Sequence, residues 1–136
     1  MCLLGCVVAL ATLLPAHRSA AVEPILIDGV AVHVDYDYDL FFKGTLLDYW
    51  CKPLTVTPAK VNRWNYVVLQ QVIRQFTATY PRDVLRKYLR GIFLAESITC
   101  STLPYGGTYA ERSVYLTVGN YIDKSWALAA LHHEFS

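Results

Sequence analysis

Residues 62–81, NRWNYVVLQQVIRQFTATYP, leave the chain the least choice of conformation. Trp64, Val68, Gln71, Val72 and Phe76 recur at helical spacing. Asn62 stands where a side chain can cap the first turn, and Pro81 cannot extend a helix. A long helix with one apolar face must lay that face on another element, so the question becomes what the neighbouring segments supply.

They supply strands. GIFLAESITC (residues 91–100) and SVYLTVGN (113–120) are rich in β-branched and aromatic residues and flank STLPYGGTYAER, a segment heavy in Pro and Gly that reads as a loop. In the second strand Val114, Leu116 and Val118 point one way and Tyr115 and Thr117 the other, and the two strands are candidates for neighbours in one sheet. Upstream, GVAVHVDYDYDL alternates apolar and polar residues from Val30, which predicts a further strand. It would carry Asp35, Asp37 and Asp39 on one face. A calcium loop would need Gly at Leu40 and an acid at Leu46, so these carboxylates read as a solvated edge or loop. CKPLTVTPAKV, with Pro53 and Pro58, reads as an extended linker. Arg82, Arg86 and Arg90 fall on one face of a short second helix and Leu85 and Leu89 on another, as with a solvated basic stripe. The class expected is α+β: a long helix, a small mixed sheet and a final helix.

Residues 2–16 carry no charge and are followed by HRSAA, with Ser19 and Ala21 at the positions a signal peptidase reads. Residues 1–21 are therefore expected to be a cleaved signal peptide. An uncleaved anchor is the rival reading, although a comfortable span needs about 20 apolar residues. In a second variant LLGC resembles a lipoprotein signal with Cys6 lipidated. Without residues 1–21 the chain balances eleven basic against eleven acidic side chains, which removes any electrostatic case for nucleic acid. No stable membrane span remains after processing. Cys51 and Cys100 are then the remaining cysteines, and in an exported chain they read as one disulfide, the alternative being two buried thiols. The localisation expected is periplasmic, cell-envelope or secreted.

The last element, DKSWALAALHHEFS, has Asp123 as an N-cap and high helix propensity. Ile122, Trp126, Ala129, Ala130 and His133 form one stripe, and Leu128, Leu131 and Phe135 make the other sides apolar, the pattern of a buried helix. His133 and Glu134 match the first two positions of H-E-x-x-H, in which two histidines four apart converge on zinc and the glutamate is general base. On this reading the polypeptide stops inside the motif helix, with the second histidine due immediately after Ser136. His132, rotated about 100° away, would stand outside the ligand set.

A long helix, strands, and an Ala-rich helix bearing His-Glu resemble the N-terminal subdomain of the zincin superfamily. ALAALHHEFS in particular is similar to the motif helix of bacterial envelope zinc-binding metallopeptidases. The resemblance implies that residues 22–136 are the N-terminal part of a zinc-dependent peptidase domain acting on a peptide or protein substrate, with His133 a metal ligand and Glu134 catalytic. It places a third ligand on a later segment and leaves this fragment inactive. It also implies a substrate-binding role for SVYLTVGN as an edge strand, the plain alternative being sheet core. Against the peptidase stands a non-catalytic exported binding domain of degenerate zincin-like fold, with His132 and His133 an ordinary pair on a structural helix. Ser125 and Ser136 lack a G-x-S-x-G setting, so a serine nucleophile is the poorer option.

Overall fold

The computed structural model describes residues 22–37 and 42–136. The signal-peptide, anchor and Cys6 readings, and Asp39, lie outside the described residues.

The sheet is organised around β4 (Gly91–Cys100), which is long enough to carry different neighbours on its two halves. Its first half is flanked by β2 (Val30–His33) and β7 (Ser113–Thr117), both parallel to it, with Ile92 opposite Val32 and Val114. Its second half is flanked by β3 (Leu54–Pro58) and β5 (Leu103–Tyr105), both antiparallel. β1 (Ile25–Ile27) closes one end as a hairpin with β2, and β6 (Gly107–Ala110) closes the other as a hairpin with β7. The mixed sheet with helices confirms the α+β class.

Alternation of side chains assigns the two faces of this sheet to two cores. Ile92, Leu94, Val114 and Leu116 join Val32 under the helices; Phe93, Ala95 and Tyr115 join Tyr36 and Phe42 on the opposite side. A strict period of two would then send Ile98 to the helical side. It does not go there, because Ser97 pairs with Thr57 and Ala95 with Pro58, which leaves Glu96 as an extra residue. This bulge re-aims the strand, so Ile98 packs with Phe93. Beyond it, Cys100 is bonded to Cys51, the C-cap of α1 (Leu46–Trp50), with Cα atoms 5.3 Å apart. The expected pairing is therefore the one observed. The bridge ties the 42–59 segment to the spine and removes about 4 kcal/mol of unfolded-chain entropy in the loop-closure account.

On the helical face, α2 (Arg63–Thr79) is capped as expected: the Asn62 side chain accepts from Asn65 N–H at 2.9 Å. Its buried stripe is Asn65, Leu69, Val72, Ile73 and Phe76. Trp64 is not on it, being 80 % exposed. The phase is turned because Asn65 binds the loop before the last helix. Its Nδ2 donates to the Asn120 carbonyl at 3.2 Å, and its Oδ1 accepts from Ile122 N–H at 3.3 Å. A buried amide that meets two backbone groups outweighs an indole that keeps its N–H in water. α3 (Arg82–Tyr88) follows Pro81, and its Leu85 completes the core with Leu89 just beyond it.

Several segments differ from expectation. Part of the expected linker is β3, and the expected loop after β4 contains β5 and β6, both drawn into the sheet by the open edges of β4 and β7. The Asp35 strand ends at His33; Asp35 has φ of 48° and Asp35 and Asp37 are exposed, so they lie in a solvated loop rather than along a strand face. β1 and α1 were not anticipated.

Replacing Asn65 by Ala would leave the Asn120 carbonyl and Ile122 N–H unmatched in a buried position. Denaturant titration should show a loss of about 2 kcal/mol with an unchanged m-value. A loss below about 0.5 kcal/mol would mean that the amide does not hold the loop.

Candidate functional site

Asp123 starts the last helix, α4 (Lys124–Phe135), by accepting a hydrogen bond from Trp126 N–H at 2.7 Å. The loop pinned by Asn65 sets where the helix begins and which side meets the sheet. That side is Ala127 and Leu131, both 1 % exposed. Trp126, Ala129 and His133, expected to face inward, are on the exposed side instead. The reason is that a helix apolar nearly all round carries no phase signal of its own, so the tethered loop and the small Ala127 decide the contact.

The neighbouring histidines consequently have different fates. His132 turns toward α2, where its Nδ1 lies 3.0 Å from the Tyr80 hydroxyl and its ring 5.4 Å from that of Phe76. It is a packing residue tied into the helix pair. His133 is exposed to solvent.

Glu134 is half-buried and lies along β6. A Cβ built on Gly107 would stand 3.2 Å from Glu134 Cγ and 2.9 Å from the Tyr115 carbonyl. Only glycine lets the carboxylate side chain and β7 come this close at once. At the adjacent Gly106 a built Cβ would meet the Trp126 ring at 3.7 Å, an ordinary van der Waals contact. Gly106–Gly107 is also where the chain steps from β4 to the outer edge of β7, with Thr117 N–H donating to the Gly106 carbonyl at 2.8 Å. The Gly-Gly pair at the centre of the expected loop was the available signal for a close backbone approach.

Beyond β7, β6 has no further strand among the described residues, so one row of its backbone groups is unpaired by the sheet. SVYLTVGN, for which the resemblance implied a substrate edge and plain sheet core was the alternative, is interior: β7 lies between β4 and β6 and its residues 113–116 are buried. The edge beside α4 is β6, with Tyr109 braced by its hydroxyl donating to the Tyr88 carbonyl at 2.6 Å and by an edge-on contact to Phe135.

The donor set can be tested against zinc, which needs three protein ligands for a catalytic site. Among the described residues no three His, Cys, Asp or Glu side chains are grouped so as to hold a metal ion. His133 and Glu134 by themselves do not make a zinc centre. On the opposite face of the sheet, burial and then the Arg90 charge hold His33 below the ordinary imidazole value, while burial raises Tyr36 and Tyr115. At neutral pH that face carries a neutral imidazole and two protonated phenols, with the His33 and Tyr115 rings stacked on Phe93 and the Tyr36 ring edge-on to it.

No family model, curated protein or solved structure matches the chain. Among the described residues no helix is long and apolar enough to cross a membrane, and the Cys51–Cys100 bridge is compatible with an exported protein.

Gly107→Ala tests the contact between Glu134 and β6. Because the Tyr115 carbonyl is backbone and cannot step aside cheaply, thermal or denaturant unfolding should show a loss of about 1–3 kcal/mol. Gly119→Ala, also at a glycine but at a φ of 62° with open space around it, is expected to cost only the roughly 1–2 kcal/mol of a left-handed alanine, and without altering Glu134. Unchanged stability of Gly107→Ala would show that β6 and α4 are less closely packed than described.

Proposed function

We propose that this chain is the N-terminal wall of an exported zinc-dependent peptidase, inactive by itself. The carrying observation is the meeting of the His-Glu helix with an open strand edge: Glu134 lies against Gly107 of β6, and His133 stands one residue away on the solvent side of α4. An extended peptide added to β6 would find backbone partners along that edge, and the Glu134 carboxylate would be held beside it as a proton acceptor. A zinc ion, with His133 as one of its ligands, would supply a polarised water; its other ligands must come from outside the described residues. The exposed Trp126 and Ala129 give α4 an apolar outer side, in keeping with a second wall that covers it in the working enzyme.

A non-catalytic domain is the second reading, favoured by there being no metal-holding group among the described residues. In that case β6 would dock peptides and His133 would be an ordinary surface histidine.

The two separate in one comparison of zinc content and peptide hydrolysis. The 136-residue chain is expected to hold zinc weakly and cleave nothing. A chain extended past residue 136 is expected to bind zinc and hydrolyse peptides, and its Glu134→Gln variant to lose at least about a hundredfold in kcat while keeping zinc, as expected for loss of a general base. Full activity in Glu134→Gln, or an extended chain without zinc, would end the peptidase reading and leave the binding domain.

A further inference from the structure

A second site lies at the other end of the helical layer, away from α4. A cavity of about 740 Å³ opens between the β1–β2 turn, the C-terminal half of α2 and α3. Asp28 and Gly29 form its lip, Arg74, Thr77 and Ala78 one wall, and Arg82 and Arg86 the other; Val30, Leu85 and Leu89 lie at its base. The lining thus holds three guanidinium groups against a single carboxylate.

That carboxylate does little to neutralise them. Asp28 Oδ2 already accepts from Thr77 Oγ1 at 3.2 Å, and its Oδ1 reaches Arg74 Nε only at 4.0 Å, with both side chains about half or more exposed. A long, solvated contact of this kind contributes little. Arg82 and Arg86 form no ion pair among the described residues. Arg90, which sequence spacing groups with them, falls after the end of α3 and outside the cavity lining. The basic residues that remain come from two different helices and converge on one concavity. A solvated stripe along one helix would instead spread its charges over open surface.

We propose that this cavity binds a phosphate group carried on a small organic molecule or a lipid headgroup. Guanidinium forks match phosphate oxygens in pairs, and the excess of positive lining charge suits a dianionic or monoanionic phosphate. The volume lies within the range of small-molecule sites and exceeds what inorganic phosphate fills. The buried Val30, Leu85 and Leu89 provide an apolar base for the remainder of the ligand. Asp28, at the lip, is the one carboxylate of the lining, and its charge would oppose a bound phosphate.

The test uses the whole chain and four probes: inorganic phosphate, glycerol 3-phosphate, and vesicles of phosphatidylglycerol or of phosphatidylcholine. Calorimetry reads the soluble probes and co-sedimentation the vesicles, at two salt concentrations. Arg82→Gln/Arg86→Gln should weaken binding by about tenfold or more, and added salt should weaken the wild type. Asp28→Asn should tighten it, and asparagine keeps the left-handed turn conformation that Asp28 adopts at φ of 50°. Glycerol 3-phosphate binding would identify a soluble ligand; binding confined to phosphatidylglycerol vesicles would identify the headgroup. Failure of every phosphate probe would overturn the proposal, as would equal binding by the double variant with an unchanged circular dichroism spectrum.

Discussion

Ten consecutive residues, 91–100, carry the hydrogen bonding that the other strands depend on. A buried strand must satisfy its backbone groups on both edges, and β4 does so with β2 and β7 along one half and β3 and β5 along the other. Only β1 and β6 lie outside its direct reach, and each is joined by a tight hairpin to a strand that is not. The bulge at Glu96 gives this spine its second function. By turning Ile98 and Cys100 to the side of Phe93, it lets the second half of the strand extend the aromatic core that Phe93 and Ala95 begin, while Ile92 and Leu94 serve the helical core.

The position of α4 follows from that spine at one remove. β7 is fixed by β4; the loop leaving β7 is fixed by Asn65 of α2; and the helix that begins at Asp123 inherits its phase from the loop. Glu134 then meets Gly107 because β6 pairs with the outer edge of β7 and α4 packs over the same face of the sheet. The candidate site is thus a product of long-range connections, in which no single segment determines the geometry. The cavity beneath Arg74, Arg82 and Arg86 arises in the same way, from a turn and two helices packed over one corner of the sheet.

These connections explain which parts were legible in the chain itself. The caps at Asn62 and Asp123 were readable because each is a contact within three residues, and β4 and β7 because their composition is strongly β-forming. The Cys51–Cys100 pair was readable by elimination once export was assumed. What could not be read was phase. Trp64 and Trp126 are the largest apolar side chains of their helices, yet both face water, because the buried stripes were chosen by Asn65 and by the small Ala127. Of the strands within the expected linker and loop, Leu103–Tyr105 is a strand by virtue of the edge of β4, whereas Leu54–Pro58 carries β-branched Thr55, Val56 and Thr57, a strand signal obscured by the flanking Pro53 and Pro58. Two further signals lie in the sequence. Asp28-Gly29 is a two-residue hairpin turn with both φ positive, and it would have given β1. Gly106-Gly107 marked the close approach of α4.

Native-state hydrogen exchange is the most direct measurement of whether β4 holds the rest together. If it does, the amides of Ile92, Phe93 and Leu94 exchange only through global unfolding, more slowly than those of α2 and α4, and their exchange free energy matches the stability from denaturant titration. Exchange of these three amides faster than the central turns of α2 would contradict the account, and would make the helix pair, not the strand, the element on which the structure depends.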